Sequence, residues 1–187
     1  MKNFGVVLVV LLIILITAGG WFFGTRNNLI GMDENIKAKW AQVENQMQRR
    51  YDLIPNLVNT VKGYARHEKE IFTQIAEARA KLAGAKTVRN KIRASNAMEG
   101  ALSRLLVIVE RYPNLKASAN FTRLMDELAG SENRMAVARK FYNEAVQVYN
   151  RTIRMFPASI VATISNFEKA DYFQVEEIVK SVPTVSF

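Results

Sequence analysis

Residues 4–25, FGVVLVVLLIILITAGGWFFGT, carry no charged side chain, and this run of 22 constrains the chain more than any other feature. A helix needs about 20 apolar residues to cross the hydrocarbon core, so the run predicts a single membrane-spanning helix in contact with the bilayer. Trp21, Phe22 and Phe23 close it where aromatic rings suit the headgroup boundary, and Lys2 and Arg26 flank it. A cleaved signal peptide is the competing reading, with Lys2 as its basic start, residues 6–16 as its apolar stretch and Thr17-Ala18-Gly19 as the cleavage site. The apolar run continues past that site through Trp21-Phe22-Phe23, which favours an uncleaved anchor. Lys2 stands on one side of the span, against Arg26, Lys37 and Lys39 on the other. By the positive-inside rule that count favours a cytoplasmic soluble part, by a narrow margin.

The residues that are missing narrow the chemistry. With no cysteine, disulfide staples, thiolate metal sites, a cysteine nucleophile and a lipid-bearing cysteine are all excluded. His67 is the only histidine, so zinc sites built on two or three imidazoles are out of reach. His67-Glu68-Lys69-Glu70 opens like the zinc-protease helix motif, but the position that needs a second histidine is Ile71. It reads as a charged turn of a solvated face. No glycine-rich phosphate loop and no nucleophile elbow occur. The expectation is a protein that is not an enzyme and has no cofactor, no metal and no nucleic-acid partner.

From Arg26 onward, apolar residues recur at spacings of three and four, and strand signals are absent. Leu29, Ile36, Trp40, Val43, Met47 and Ile54 form a first seam. Asp52 then offers an N-cap and Pro55 falls where a first helical turn tolerates proline, so a second helix is expected there. Its seam is Leu57, Val61, Tyr64, Ile71, Ile75, Ala78 and Leu82, with Gly84 as its stop. A third helix is expected over residues 88–111, carried by Ile92, Met98, Leu102, Leu105, Ile108 and Tyr112 and broken by Pro113-Asn114. A fourth is expected over residues 118–155, from Phe121 and Leu124 through Tyr142 and Tyr149 to Ile153, weakened inside by Gly130. Residues 160–167 suit a short helix and residues 179–187 an irregular tail. The fold class expected is all-α, an N-terminal transmembrane helix followed by an antiparallel bundle of about four long helices. The segments divide as an anchor over 1–26, a helical-bundle domain over 27–167 and an irregular C-terminal tail over 168–187.

Four segments, QRRYDLIPNLVNTVKGYARHEKE (48–70), ERYPNLKASANF (110–121), ELAGSENRMAVARKFYNEAVQVYN (127–150) and FPASIVA (156–162), together resemble the LemA family. The resemblance covers nearly all of the chain after the anchor. It implies a bacterial protein of the plasma (inner) membrane with long antiparallel helices, and it supplies no activity, because the family's molecular function is not established. Some members carry a lipid-bearing cysteine in place of the anchor helix, which puts their domain outside the cytoplasm and leaves the side open. The chain departs from the family pattern at Ser131, where threonine is usual, and at Ser165-Asn166, where a glycine commonly precedes the phenylalanine.

Several polar groups invite a functional reading. Arg49-Arg50 beside Asp52 suits an anionic partner or, more simply, a helix end followed by a cap. Glu132, Asn133 and Arg134 are expected to face inward and pair with Arg50 or Asn56, fixing helix register. Tyr142-Asn143 and Tyr149-Asn150 repeat at seven, so the tyrosines share a stripe and plug the core with their hydroxyls at its edge. Arg79, Lys81, Lys86, Arg89, Lys91 and Arg93 crowd one helix connection without an acid among them, in a chain of net charge +9. If Pro55 marks a chain reversal, that connection returns toward the bilayer, and an anionic membrane surface is its partner. The function expected is a membrane-anchored interaction or scaffold module with unidentified envelope protein partners. The alternative is a lipid-binding or envelope-remodelling protein that works through the basic connection.

Overall fold

The computed structural model describes residues 2–174, and among these residues it is all helix and connection, with six helices and no strand. The tail expected over residues 179–187 lies outside the described residues.

Helix α1 runs Lys2–Tyr64 without interruption. All six residues of the first seam are buried on it. The expected break at Asp52 and restart at Pro55 do not occur. Pro55 lacks the N–H that would bond the Tyr51 carbonyl. On either side of it, however, Ile54, Leu57 and Val61 enter one core at 0–2% exposure. Burying side chains of that size contributes about 1.5–3 kcal/mol each, more than one lost helical bond removes. Asp52 caps nothing; it accepts a hydrogen bond from Gln48 Nε2 one turn earlier, at 2.8 Å.

The reversal falls instead at residues 65–68, where Ala65 is buried and Arg66 and His67 are exposed. Tyr64, expected on the second seam, is 48% exposed at the helix end. Helix α2 covers Lys69–Gly84, ending where Gly84 was expected to end it. Helix α3 covers Val88–Val109, its first turn capped by Thr87, whose hydroxyl accepts from the Asn90 N–H at 3.2 Å. Pro113 opens the single turn α4, Pro113–Lys116. Helix α5, Ala119–Thr152, passes through Gly130 unbroken. Helix α6 covers Ala158–Ile164.

The described residues form two compact units, one of residues 2–43 and 138–172, the other of residues 44–137 with 173–174. In the second unit, Lys62 over the Phe72 ring and Arg79 over the Tyr51 ring show α2 returning antiparallel along α1. Its core joins Ile54, Leu57 and Val61 to Ile75, Leu102, Leu105, Leu115 and Phe121. In the first unit, Trp40 of α1 meets Tyr142 of α5 with ring centroids 5.2 Å apart. Along this unit α1 changes character: the side chains of residues 4–18 are all exposed, Phe22 and Thr25 are half-buried, and Leu29 is fully buried. Its N-terminal part is long and apolar enough to cross a membrane.

The end of α6 explains one departure from the family pattern. Asn166 has φ 55°, in the left-handed region where glycine is favoured and asparagine is the usual substitute. The Phe167 N–H bonds the Ala162 carbonyl at 2.9 Å and the Asn166 N–H bonds that of Thr163 at 3.3 Å, which together make a Schellman turn. That turn sends the chain out of α6 into the segment that follows.

Candidate functional site

The six basic residues at the α2–α3 connection differ in exposure and in partners. Arg79 is half-buried with its guanidinium 4.5 Å from the Tyr51 ring centroid, a cation–π arrangement. Lys91 is ion-paired with Glu44 of α1. Lys81, Lys86, Arg89 and Arg93 are exposed. With α1 continuous through Pro55, the reversal that was to bring this connection toward the bilayer is not at Pro55.

Beside the connection lies an open groove of about 390 Å³, lined by Glu44, Asn45, Gln48, Tyr51, Leu82 and Lys91 among others. Its one carboxylate and one ammonium hold each other, and Gln48 is tied to Asp52. What remains offers amide and phenol hydrogen bonds.

The polar residues singled out along α5 behave as staples. Arg50 pairs with Glu132, as expected from inward-facing polar groups. Arg134, exposed, donates from Nε to Gln46 Oε1 at 3.3 Å. Asn133 and Asn56 are exposed and do not join this pairing. Arg49-Arg50 therefore lies inside a helix, not at its end, and Arg50 serves register. At the α1–α2 turn, Glu68 accepts from Arg111 Nη2 at 3.1 Å and from the Tyr112 hydroxyl at 3.3 Å, tying the end of α3 to the turn. His67 is exposed on that turn, and among the described residues no group of three or more His, Cys, Asp or Glu could hold a metal ion.

The arrangement that sequence reasoning missed is a clasp on α5. Tyr142 and Tyr149 are buried to 2% and 3% exposure, as core plugs should be. Their hydroxyls, however, donate to backbone: Tyr142 to the Asp171 carbonyl at 2.7 Å, Tyr149 to the Glu168 carbonyl at 2.9 Å. Asn150 donates from Nδ2 to the Ala170 carbonyl and accepts the Ala170 N–H on Oδ1, both at 2.9 Å. An asparagine side chain reproduces a peptide group, so this two-way bond is a strand ladder of one rung. Burial pushes the Tyr142 hydroxyl up to about 12, helped by the Asp171 charge. Burial also raises Tyr149, followed by the charges of Asp33 and Glu168. The signal was present as a repeat at seven, but its partner is irregular backbone, which carries no pattern.

Residues 39–187 match the model of the LemA family. Magnetosome protein MamQ 2 of Paramagnetospirillum magneticum is 29% identical, over 79% of this chain and 64% of that protein. Magnetosome protein MamQ of Magnetospirillum gryphiswaldense is 28% identical, over the same shares, 79% and 64%. Protein LemA of Metamycoplasma hominis is 25% identical, over 87% of this chain and 76% of that protein. The chain thus spans just under two thirds of the length of the MamQ proteins that it matches.

Proposed function

Because the chain belongs to the LemA family, we propose that it is a membrane-anchored helical module that docks protein partners and does not turn over a substrate. One observation carries the reading. Residues 4–18 of α1 are covered by nothing else among the described residues, and the same helix continues unbroken into the seam Leu29, Ile36, Trp40 and Val43. Side chains so apolar are stable exposed only in a lipid environment, which would leave the buried seam outside the bilayer.

Docking is supported by the use made of the polar groups. The ion pairs between elements join α1 to α3, α1 to α5 and the α1–α2 turn to the end of α3, leaving no cluster poised for acid–base work among those described. Meanwhile Phe141 and Val148 stand 49% and 54% exposed seven residues apart on α5. Apolar residues so spaced share a stripe, which suits a helix from a protein partner. Photo-crosslinking residues placed at Phe141 and Val148 in native membranes should give the same discrete adduct, with the protein resisting alkaline carbonate extraction. Adducts no stronger than those from Lys140, or release by carbonate, would overturn the reading.

A second reading, contact between anionic lipid and the basic connection, rests on the exposure of Lys81, Lys86 and Arg93 with no acid in residues 79–93. Lys91 is no part of it, being paired with Glu44. Changing Lys81, Lys86 and Arg93 together to glutamine should then abolish any dependence of the protein's behaviour on anionic lipid content; an unchanged dependence removes this reading.

A further inference from the structure

We propose that the corner between α5 and α6, residues 151–164, is a second membrane contact, a foot that seats in the headgroup boundary of the bilayer beside the anchor. The proposal rests on the reading of residues 4–25 as a membrane span.

Its composition is unusual for a protein surface. Phe156 is 81% exposed, more than any large apolar side chain in the anchor itself, where Phe4 and Leu15 reach 72%. Met155 at 50%, Ile160 at 47% and Ile164 at 63% continue the patch. Helix α6, ASIVATI, has no charged residue; Val161 and Ala162 are buried, while Ile160 and Ile164, one turn apart, are exposed. Thr163 shares the open side with these isoleucines. Helix α6 is thus an uncharged helix with isoleucines on its open face as well as apolar residues on its buried one, a pattern that suits lipid contact where that face is open. The charged residues within 151–164 are Arg151 and Arg154, both exposed, with no acid. Apolar and aromatic side chains next to arginines are the composition of an interfacial segment facing phosphates.

Position supplies the occupant. Trp40 meets Tyr142, and seven residues back along α1 the charge of Asp33 bears on Tyr149, seven residues further along α5. The two helices therefore run antiparallel in a fixed register. Continued, it sets Ile153, 8% exposed, beside Leu29, 0% exposed, and brings the corner to the level of Arg26, where the uncharged run ends. The half-burial of Phe22 and Thr25, after a fully exposed stretch, begins at that same level. A patch of exposed phenylalanine and isoleucine lying where the span leaves the bilayer meets lipid before it meets anything else.

The absence of cysteine makes the test clean. Single cysteines replace Leu12, Phe141, Phe156 and Ile160 in the full chain, each is nitroxide-labelled, and the protein is reconstituted in phosphatidylglycerol–phosphatidylethanolamine vesicles. Collisions with oxygen, which concentrates in lipid, are compared with collisions with a water-soluble nickel chelate. Lipid-like ratios are expected at 12, 156 and 160, and a water-like ratio at 141, three turns before the end of α5. Water-like ratios at 156 and 160 with a lipid-like ratio at 12 overturn the foot and leave the span standing. A water-like ratio at 12 removes the span, and the foot falls with it.

Discussion

Asn150 shows how much one side chain can decide. Its amide stands in for a peptide group, giving and receiving one bond with Ala170, so no apolar or singly functional residue replaces it. Asn150→Ala leaves the Ala170 N–H and carbonyl without their partner, and the expected loss is about 1–3 kcal/mol, read from chemical denaturation. Asn150→Asp keeps the acceptor alone and should fall between. The tyrosines add a pH dependence. A phenol titrates near 10 in an unfolded chain, while Tyr142 in the folded protein stays protonated to about 12. Its folded value is raised, so the stability it contributes is complete below about pH 10 and is lost as pH rises through about 12. Tyrosinate absorbance should show Tyr142 and Tyr149 titrating later than an ordinary phenol, and Tyr142→Phe should remove one of these late groups and leave the other. Asn166 offers a backbone counterpart: Asn166→Ala puts an ordinary side chain at φ 55° and should cost about 1 kcal/mol, while Asn166→Gly should cost nothing.

At the scale of elements, α1 poses the sharper problem, a proline held inside a helix. If Pro55 began a second helix, replacing it would change little, because a first-turn N–H has no partner in any case. Inside α1 it removes the bond to Tyr51 and crowds the preceding turn. Pro55→Ala is therefore expected to stabilise the protein by about 2 kcal/mol, an interior-proline penalty of about 3 less the entropy that proline removes from the unfolded chain. A raised unfolding midpoint with unchanged helicity is the outcome that checks it, and a neutral result would return the boundary to Asp52. The position of the true turn had a sequence signal: Gly63 stands just before Tyr64-Ala65-Arg66-His67-Glu68, and the expected seam has no member between Tyr64 and Ile71. Capping residues at Asp52–Pro55 outweighed it in a local reading, because a cap is judged one turn at a time and a core is not.

For the molecule as a whole, the fate of the apolar run at residues 4–25 is the matter with most consequence. Cleavage after Gly19 would remove residues 1–19 and none of the side chains buried from Leu29 onward. Intact-mass measurement on protein drawn from membranes is expected to include the N-terminal residues through Gly20. A mature chain starting near Gly20 would show instead that the run served export.

The sequence by itself determined the class of the protein. Its uncharged run, its heptad-like seams and its missing cysteines are properties of composition and period, and Leu29, Ile36, Trp40, Val43, Met47 and Ile54 took the places that their spacing assigned. The family resemblance was legible for the same reason, since it resides in contiguous segments. What only the tertiary structure decided are the pairing of Lys91 with Glu44, the bonds of the α5 tyrosines to the backbone beyond α6, and the continuity of α1 across Pro55. The physical reason is common to all of them. Helical period reports which face of an element is apolar, whereas a staple, a clasp or a tolerated proline depends on what another stretch of chain places opposite it, and that placement is fixed by burial summed over the core.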